Sequence, residues 1–193
     1  SKPIKDIVYD PSLRRGFIDS LIAAAGGTLN TWKNSICGQL YTLRTTVARS
    51  IHIPIGLPVE DGFLRAMVQT RLFLEEGGPE TRLDGLDELF HVYRSERSIN
   101  ALFRHQTRIV IGSAINSVVY DRIRNLPPDE RSIDLVKSAT DPAWLAALLK
   151  QELPRAPYGY VPVHFLIKRV QFWARSSGKY RPRRLAIMLA GFF

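Results

Sequence analysis

The sequence is poor in the side chains that form disulfides and zinc sites. Cys37 is the only cysteine among 193 residues, which excludes an internal disulfide framework and a metal site of several thiolates. The four histidines show no close spacing of the HxxxH type, so a structural zinc site is not expected. They are His52, His91, His105 and His164.

Long apolar runs are also missing. No stretch reaches the roughly 20 apolar residues that a membrane-spanning helix needs. The N-terminal sequence SKPIKDIVYD lacks the apolar core of a secretory signal peptide. The sequence ends within the basic and then apolar run RPRRLAIMLAGFF, so we expect the chain to be part of a longer protein.

Positive charge, in contrast, is abundant. Lysine and arginine number 27 against 18 acidic residues, a net charge of +9. A hydrophobic content of 45% and a charged content of 23% are typical of a folded globular protein. The charge favours an anionic partner, which is nucleic acid, nucleotide phosphate or the anionic leaflet of a membrane.

Hydrophobic spacing predicts an α/β fold that is rich in helices. Short strands are predicted at residues 40–43 and 90–96, and helices at 59–74 and 98–124. We expect residues 1–125 to form one part and residues 126–193 a helical, basic extension. Within that extension, residues 161–193 combine an amphipathic basic-aromatic helix with clustered arginines. This pattern is typical of a membrane-surface element, and equally of a helix that packs on its own domain.

The stretch LPVEDGFLRAM contains two adjacent carboxylates, Glu60 and Asp61. Acidic residues are common in the first turn of a helix, where they interact favourably with the helix dipole. Pro58 restricts the backbone that leads to this pair. Gly62 follows the pair directly, and its lack of a side chain leaves space for a bound group. A carboxylate in such a place is suited to accept a proton from an alcohol. From chemistry alone, both interpretations stay open.

A second cluster consists of Arg104, His105, Gln106 and Arg108. Arg104 and Arg108 are four residues apart and share one face of the predicted helix, where their charges repel unless an anion lies between them. A diphosphate fits this geometry because guanidinium groups bind phosphate oxygens in pairs. The alternative is a solvated basic face without a ligand.

The order of several residues resembles the second half of the catalytic domain of family 2 glycosyltransferases, which have the GT-A fold. The stretch CGQLYTLRTTVARSIHIPIGLPVEDGFLRAMV carries a G-x-x-Y-x-x-R pattern at Gly38, Tyr41 and Arg44. A segment with prolines follows, and then an E-D pair at a helix start, here Glu60 and Asp61. The resemblance implies that Asp61 is the general base toward the acceptor hydroxyl and that Glu60 supports it.

The family's next helix carries the motif Q-x-x-R-W beside the acceptor and the donor diphosphate. The corresponding HQTRI has the arginine at Arg108, while His105 replaces glutamine and Ile109 replaces tryptophan. The resemblance covers about residues 30–125. The substrate- or diphosphate-binding residues that it implies are Arg108, His105, Gln106, Arg104, Gly38 and Arg44.

The family's nucleotide-binding half, with its D-x-D metal motif, should precede Gly38, but residues 1–37 contain no D-x-D. We therefore expect a partial GT-A domain, the acceptor-side half, that is inactive alone. In the full-length protein, a divalent metal (Mg²⁺ or Mn²⁺) would be held by ligands outside this chain. The implied partners are a nucleotide-sugar donor and a glycan or lipid acceptor, at the cytoplasmic side of the inner or plasma membrane.

Two non-enzymatic alternatives remain from sequence. The charge suits a nucleic-acid-binding module, although no RNP-like aromatic pair or KH-type GxxG is present and the arginines are scattered, so no specific nucleic acid is expected. A peripheral membrane or adaptor domain that uses residues 161–193 is the other.

Overall fold

The computed structural model describes residues 1–17, 19, 20, 23, 32–36, 39–76, 82–152, 167, 170, 171 and 174. Helices dominate these residues, together with one two-stranded parallel sheet. The elements are β1 (Lys2–Lys5), α1 (Asp6–Tyr9), α2 (Thr45–Ser50), α3 (Glu60–Gln69), β2 (Phe90–Tyr93), α4 (Ile99–Asn125), α5 (Pro128–Thr140) and α6 (Trp144–Glu152). The expectation of a helix-rich α/β chain is confirmed at this level.

The chain forms two compact units. The first comprises residues 1–51 and 60–102, and the second comprises residues 52–59 and 103–193. The boundary expected at residue 125 falls inside the second unit and stays a sequence prediction. Most of the segment 161–193 lies outside the described residues. No helix in the described part of the chain has the length and apolar character needed to cross a bilayer.

The sheet belongs to the first unit. β1 runs parallel to β2, with Lys2 opposite Phe90 and Lys5 opposite Tyr93. The strand expected at 90–96 is therefore confirmed in its first half. The strand expected at 40–43 is wrong: these residues join no sheet, and the side chains of Leu40 and Tyr41 are 41% and 44% exposed. Leu43 alone packs on the core, against the cluster that includes Ile36 and Leu64, and one inward side chain does not give the two-faced pattern of a half-buried strand.

A carboxylate network connects the ends of the two strands. Asp6 follows β1, and its Oδ1 accepts hydrogen bonds from the Ser95 hydroxyl (2.6 Å), the Ser95 N–H (3.0 Å) and the Ile7 N–H (2.8 Å). Arg97 donates to Asp6 Oδ2 at 3.1 Å and to the Leu13 carbonyl at 3.1 Å. The Ser95 hydroxyl above all, and then the backbone donors and Arg97, lower the pKa of Asp6 to about 2.

Helix α3 begins one residue later than predicted and ends five residues earlier. It ends where the Thr70 hydroxyl donates to the Ala66 carbonyl at 2.7 Å and accepts from the Phe73 N–H at 2.9 Å. Arg71, Leu72 and Phe73 then take left-handed backbone angles, with φ of 46°, 63° and 63°. Such angles are uncommon outside glycine and reverse the chain sharply. The buried residues of α3 are Phe63, Leu64 and Met67.

The second unit contains α4 from residue 103 onward, together with α5 and α6. The start of α4 is capped by the Ser98 hydroxyl, which accepts from the Ala101 N–H at 3.1 Å. Pro128 occupies the first position of α5, and Asp141 accepts from the Ala143 N–H at 2.8 Å just before α6. Predicted at 98–124, α4 forms at 99–125, so this prediction is confirmed to within one residue. Buried apolar side chains of the three helices include Val110, Ala114, Val119, Ile123, Leu135, Trp144, Leu145 and Leu148.

Candidate functional site

The segment before Glu60 is anchored within the second unit. Pro54 is fully buried, and Leu57 is buried as well. The Ile55 N–H donates to the Ser138 carbonyl of α5 at 3.0 Å. A turn follows in which the Leu57 N–H donates to the Pro54 carbonyl at 3.2 Å and Gly56 has a φ of 78°. The segment is neither helix nor strand, and prolines disfavour helix at the residues before them.

Val59, directly before Glu60, has a strained backbone. Its φ is 57°, a left-handed angle that β-branched residues rarely adopt and that costs roughly 1–3 kcal/mol. The Asn116 Nδ2 donates to the carbonyls of Pro58 (3.0 Å) and Val59 (3.1 Å). A Cβ added to Gly112 would lie 3.1 Å from Val59 Cβ and closer still to Val59 Cγ2. Asn116 of α4 therefore holds this backbone by two hydrogen bonds, and Gly112 of the same helix leaves the space that Val59 occupies.

Glu60 and Asp61 occupy the first turn of α3, as predicted. Asp61 is half-buried, and its Oδ1 accepts from the Gly62 N–H at 2.8 Å, while Glu60 is exposed. Within the residues that the structure describes, neither carboxylate forms an ion pair with a lysine, arginine or histidine. A carboxylate that is oriented but not neutralised by a cation can accept a proton from an approaching hydroxyl.

The basic cluster lies on α4 in the second unit. The exposed Arg104 and Arg108 share one face of the helix, where they line an open pocket of about 480 Å³. The same face presents Phe103, Thr107 and Ile111. Two guanidinium groups beside exposed apolar side chains are suited to an anion that also carries an apolar or ring-shaped part.

The other residues implied by the resemblance are placed as follows. His105 is half-buried and does not line the pocket with Arg104 and Arg108. Gln106 belongs to α4, but its side chain is outside the described atoms. Arg44 is exposed and precedes α2 without capping it through its side chain. Gly38 lies outside the described residues.

The described residues of this chain do not form a candidate site for a divalent metal. Among the described residues, no three histidine, cysteine, aspartate or glutamate side chains come together as metal ligands would. The divalent metal implied by the resemblance was expected to bind outside this chain, and it stays an expectation about the full-length protein.

Sequence reasoning missed Gly112 and Asn116, although a signal was present. Both lie inside a helix of 27 residues, four positions apart, and both are buried. Glycine destabilises a helix interior by about 1 kcal/mol relative to alanine, and asparagine is also a poor helix former. Two unfavourable residues on one helical face indicate a close neighbour, here Pro58 and Val59.

Comparison with known proteins adds no identification. No protein-family model matches the chain, and neither the curated proteins nor the solved structures gave a significant match.

Proposed function

We propose that the full-length protein is an inverting glycosyltransferase and that this chain is the acceptor-side part of its GT-A-type catalytic domain. It would transfer a sugar from a nucleotide-diphosphate donor to a hydroxyl of a lipid or polysaccharide at the cytoplasmic face of a membrane. The observation that carries the proposal is the start of α3. There Asp61 is half-buried and not paired with a described cation, and it follows a backbone segment anchored at several points.

In this proposal Asp61 is the general base. The acceptor hydroxyl donates a hydrogen bond to the Asp61 carboxylate, which takes the proton as the hydroxyl oxygen attacks the anomeric carbon. The bond from that carbon to the diphosphate breaks on the opposite side, which inverts the configuration. Oδ1 already accepts the Gly62 N–H, so Oδ2 is the oxygen that we assign to the acceptor. Glu60 supports this carboxylate as its exposed neighbour.

The basic face of α4 would bind the donor diphosphate. Arg104 and Arg108 contribute two guanidinium groups on one helical face, with Phe103 and Ile111 beside them. Their positive charge would stabilise the negative charge that develops on the leaving diphosphate. His105, Gln106, Gly38 and Arg44 are proposed in this binding role from the resemblance alone. A bound Mg²⁺ or Mn²⁺ would add further neutralisation in the full-length protein.

The test is transfer by the full-length protein. Purified protein is mixed with nucleotide-diphosphate sugars, Mg²⁺ or Mn²⁺, and a panel of lipid and oligosaccharide acceptors, and the release of nucleoside diphosphate is followed. We expect release that depends on one donor and one acceptor class.

The competing functions are measured on the same preparation. Filter binding of oligonucleotides at physiological salt tests a nucleic-acid module, and flotation with anionic vesicles tests a membrane module. Tight binding in either assay, without any donor consumption, would overturn the proposal.

A further inference from the structure

Asn116 is an unusual residue for its place in α4. It is 3% exposed, and its carboxamide points at the backbone just before Glu60. Its Nδ2 donates to the carbonyls of Pro58 and Val59 at 3.0 and 3.1 Å, and two carbonyl acceptors require the nitrogen on that side. Its Oδ1 has no hydrogen-bond partner among the described residues. A buried acceptor without a partner is unfavourable, so packing alone does not account for asparagine here.

Gly112 is one helical turn earlier on the same face. A Cβ at this position would lie 3.1 Å from Val59 Cβ and 3.4 Å from Pro58 Cβ, and it would overlap Val59 Cγ2. Rotation of the Val59 side chain cannot relieve the contact with Cβ, because Cβ is fixed to the backbone. The close approach of α4 to Val59 therefore requires glycine.

The conformation that these two residues hold is one that valine does not prefer. Val59 has a φ of 57°, and strained angles of this kind persist only where the surroundings enforce them. Upstream, the Ile55 N–H to Ser138 carbonyl bond fixes the same segment. Downstream, a single peptide bond joins Val59 to Glu60, where α3 begins.

We propose that Gly112 and Asn116 are positioning residues for the general base. Gly112 lets α4 approach Val59 closely, and Asn116 holds the Pro58 and Val59 carbonyls, so that together they keep Val59 in its left-handed conformation and restrict the backbone of the Glu60-Asp61 pair that follows. The catalytic part of this inference rests on the proposed function, whereas the restraint on Val59 is testable without any activity. We call Gly112, Asn116 and Val59 the α4 clamp.

The first test is a double-mutant cycle on the full-length protein. Gly112→Ala in an ordinary helix interior would be stabilising, but here we expect the melting temperature to fall by on the order of 3–8 °C because Val59 is displaced. Val59→Gly removes the opposing side chain and tolerates the left-handed angle. In that background Gly112→Ala should leave the melting temperature unchanged or raise it. The same fall in both backgrounds would overturn the close approach.

The second test measures the restraint and its effect on catalysis. Asn116→Ala removes both donations, and Asn116→Asp keeps the shape but turns an acceptor toward two carbonyls. We expect both to speed hydrogen exchange of the residue 64–66 amides by about tenfold or more, because in α3 these amides donate to the carbonyls of residues 60–62. We further expect kcat to fall by about 10- to 100-fold while KM for the donor stays within about twofold. Asn100→Ala, an exposed asparagine on the same helix, is the control and should change neither.

The outcomes separate the two claims. Unchanged hydrogen exchange in both Asn116 variants would refute the clamp, whatever the activity. Faster exchange with unchanged kcat would show a restraint on Val59 that does not position the base, and would overturn the catalytic part. If the wild-type protein transfers no sugar, the proposed function fails, and the exchange data and the cycle still decide whether Gly112 and Asn116 hold Val59.

Discussion

The stability of the first unit should depend on the ionisation of Asp6. This carboxylate accepts three hydrogen bonds from Ser95 and Ile7 and pairs with Arg97. These contacts lower its pKa from 3.8 to about 2, with the Ser95 hydroxyl as the largest cause. Because the folded protein binds this proton less tightly than the unfolded chain, the contribution is present above about pH 4. It is lost as the pH falls toward 2.

The size of the effect follows from that difference in pKa. A carboxyl whose pKa falls from 3.8 to about 2 stabilises the folded state by at most roughly 2.5 kcal/mol at neutral pH. The Asp6 and Arg97 side chains are 17% and 30% exposed, so solvent screens part of the interaction. We therefore expect Asp6→Asn to lower the free energy of unfolding by about 1–2 kcal/mol at pH 7. About half of the difference should be gone near pH 3.

Urea unfolding monitored by circular dichroism between pH 7 and pH 3 measures this difference. At pH 7 the midpoint of the Asp6→Asn variant should be lower by about 0.5–1 M. Asp121→Asn, at an exposed position of α4, is the matched control and should follow the wild type. A variant as stable as the wild type at pH 7, or a difference that stays constant down to pH 3, would refute the assigned role of Asp6.

Two further predictions concern the turn after α3 and the basic face of α4. Thr70→Val should lower the free energy of unfolding by about 1–2 kcal/mol, because the Phe73 N–H loses its acceptor. Thr46→Val, at an exposed position of α2, is the control and should change it by less than about 0.5 kcal/mol. Equal urea midpoints for the two variants would contradict this prediction. Arg104→Ala and Arg108→Ala should each weaken pyrophosphate binding by about 5- to 10-fold in calorimetric titrations of the full-length protein, and the exposed Arg65→Ala should not. Binding that is insensitive to both Arg104→Ala and Arg108→Ala would remove the diphosphate role from α4.

Helix boundaries could be predicted from the sequence where neighbouring residues determine them. The start of α3 was predicted to within one residue, because two acidic residues follow Pro58 and Val59 and an apolar helical pattern comes next. The ends of α4 were predicted from its long periodicity and from the prolines that follow it. The end of α3 was not predicted, because Arg71, Leu72 and Phe73 adopt left-handed backbone angles although none of them is glycine. The Thr70 hydroxyl stabilises this turn, and a threonine in the sequence gives no sign that a helix ends there.

Contacts that are distant in sequence account for the remaining differences. β1 contains Pro3 and has only four residues, so its pairing with β2 could not be read from its composition. Gly112 and Asn116 are unfavourable in a helix, but their partners lie in another part of the chain. For the candidate site, the sequence placed the acidic pair at a helix start and two arginines on one face of α4. The chemical roles of these residues stay predictions.

The most direct test of the account is the turnover of the Asp61→Asn variant of the full-length protein. Asparagine keeps the shape of the side chain and an acceptor for the Gly62 N–H but cannot take the proton from the acceptor hydroxyl. We predict that kcat falls by at least about 100-fold while the donor Kd stays within about twofold, and that Glu60→Gln costs far less. An Asp61→Asn protein that retains most of the wild-type rate would contradict the assignment of the general base.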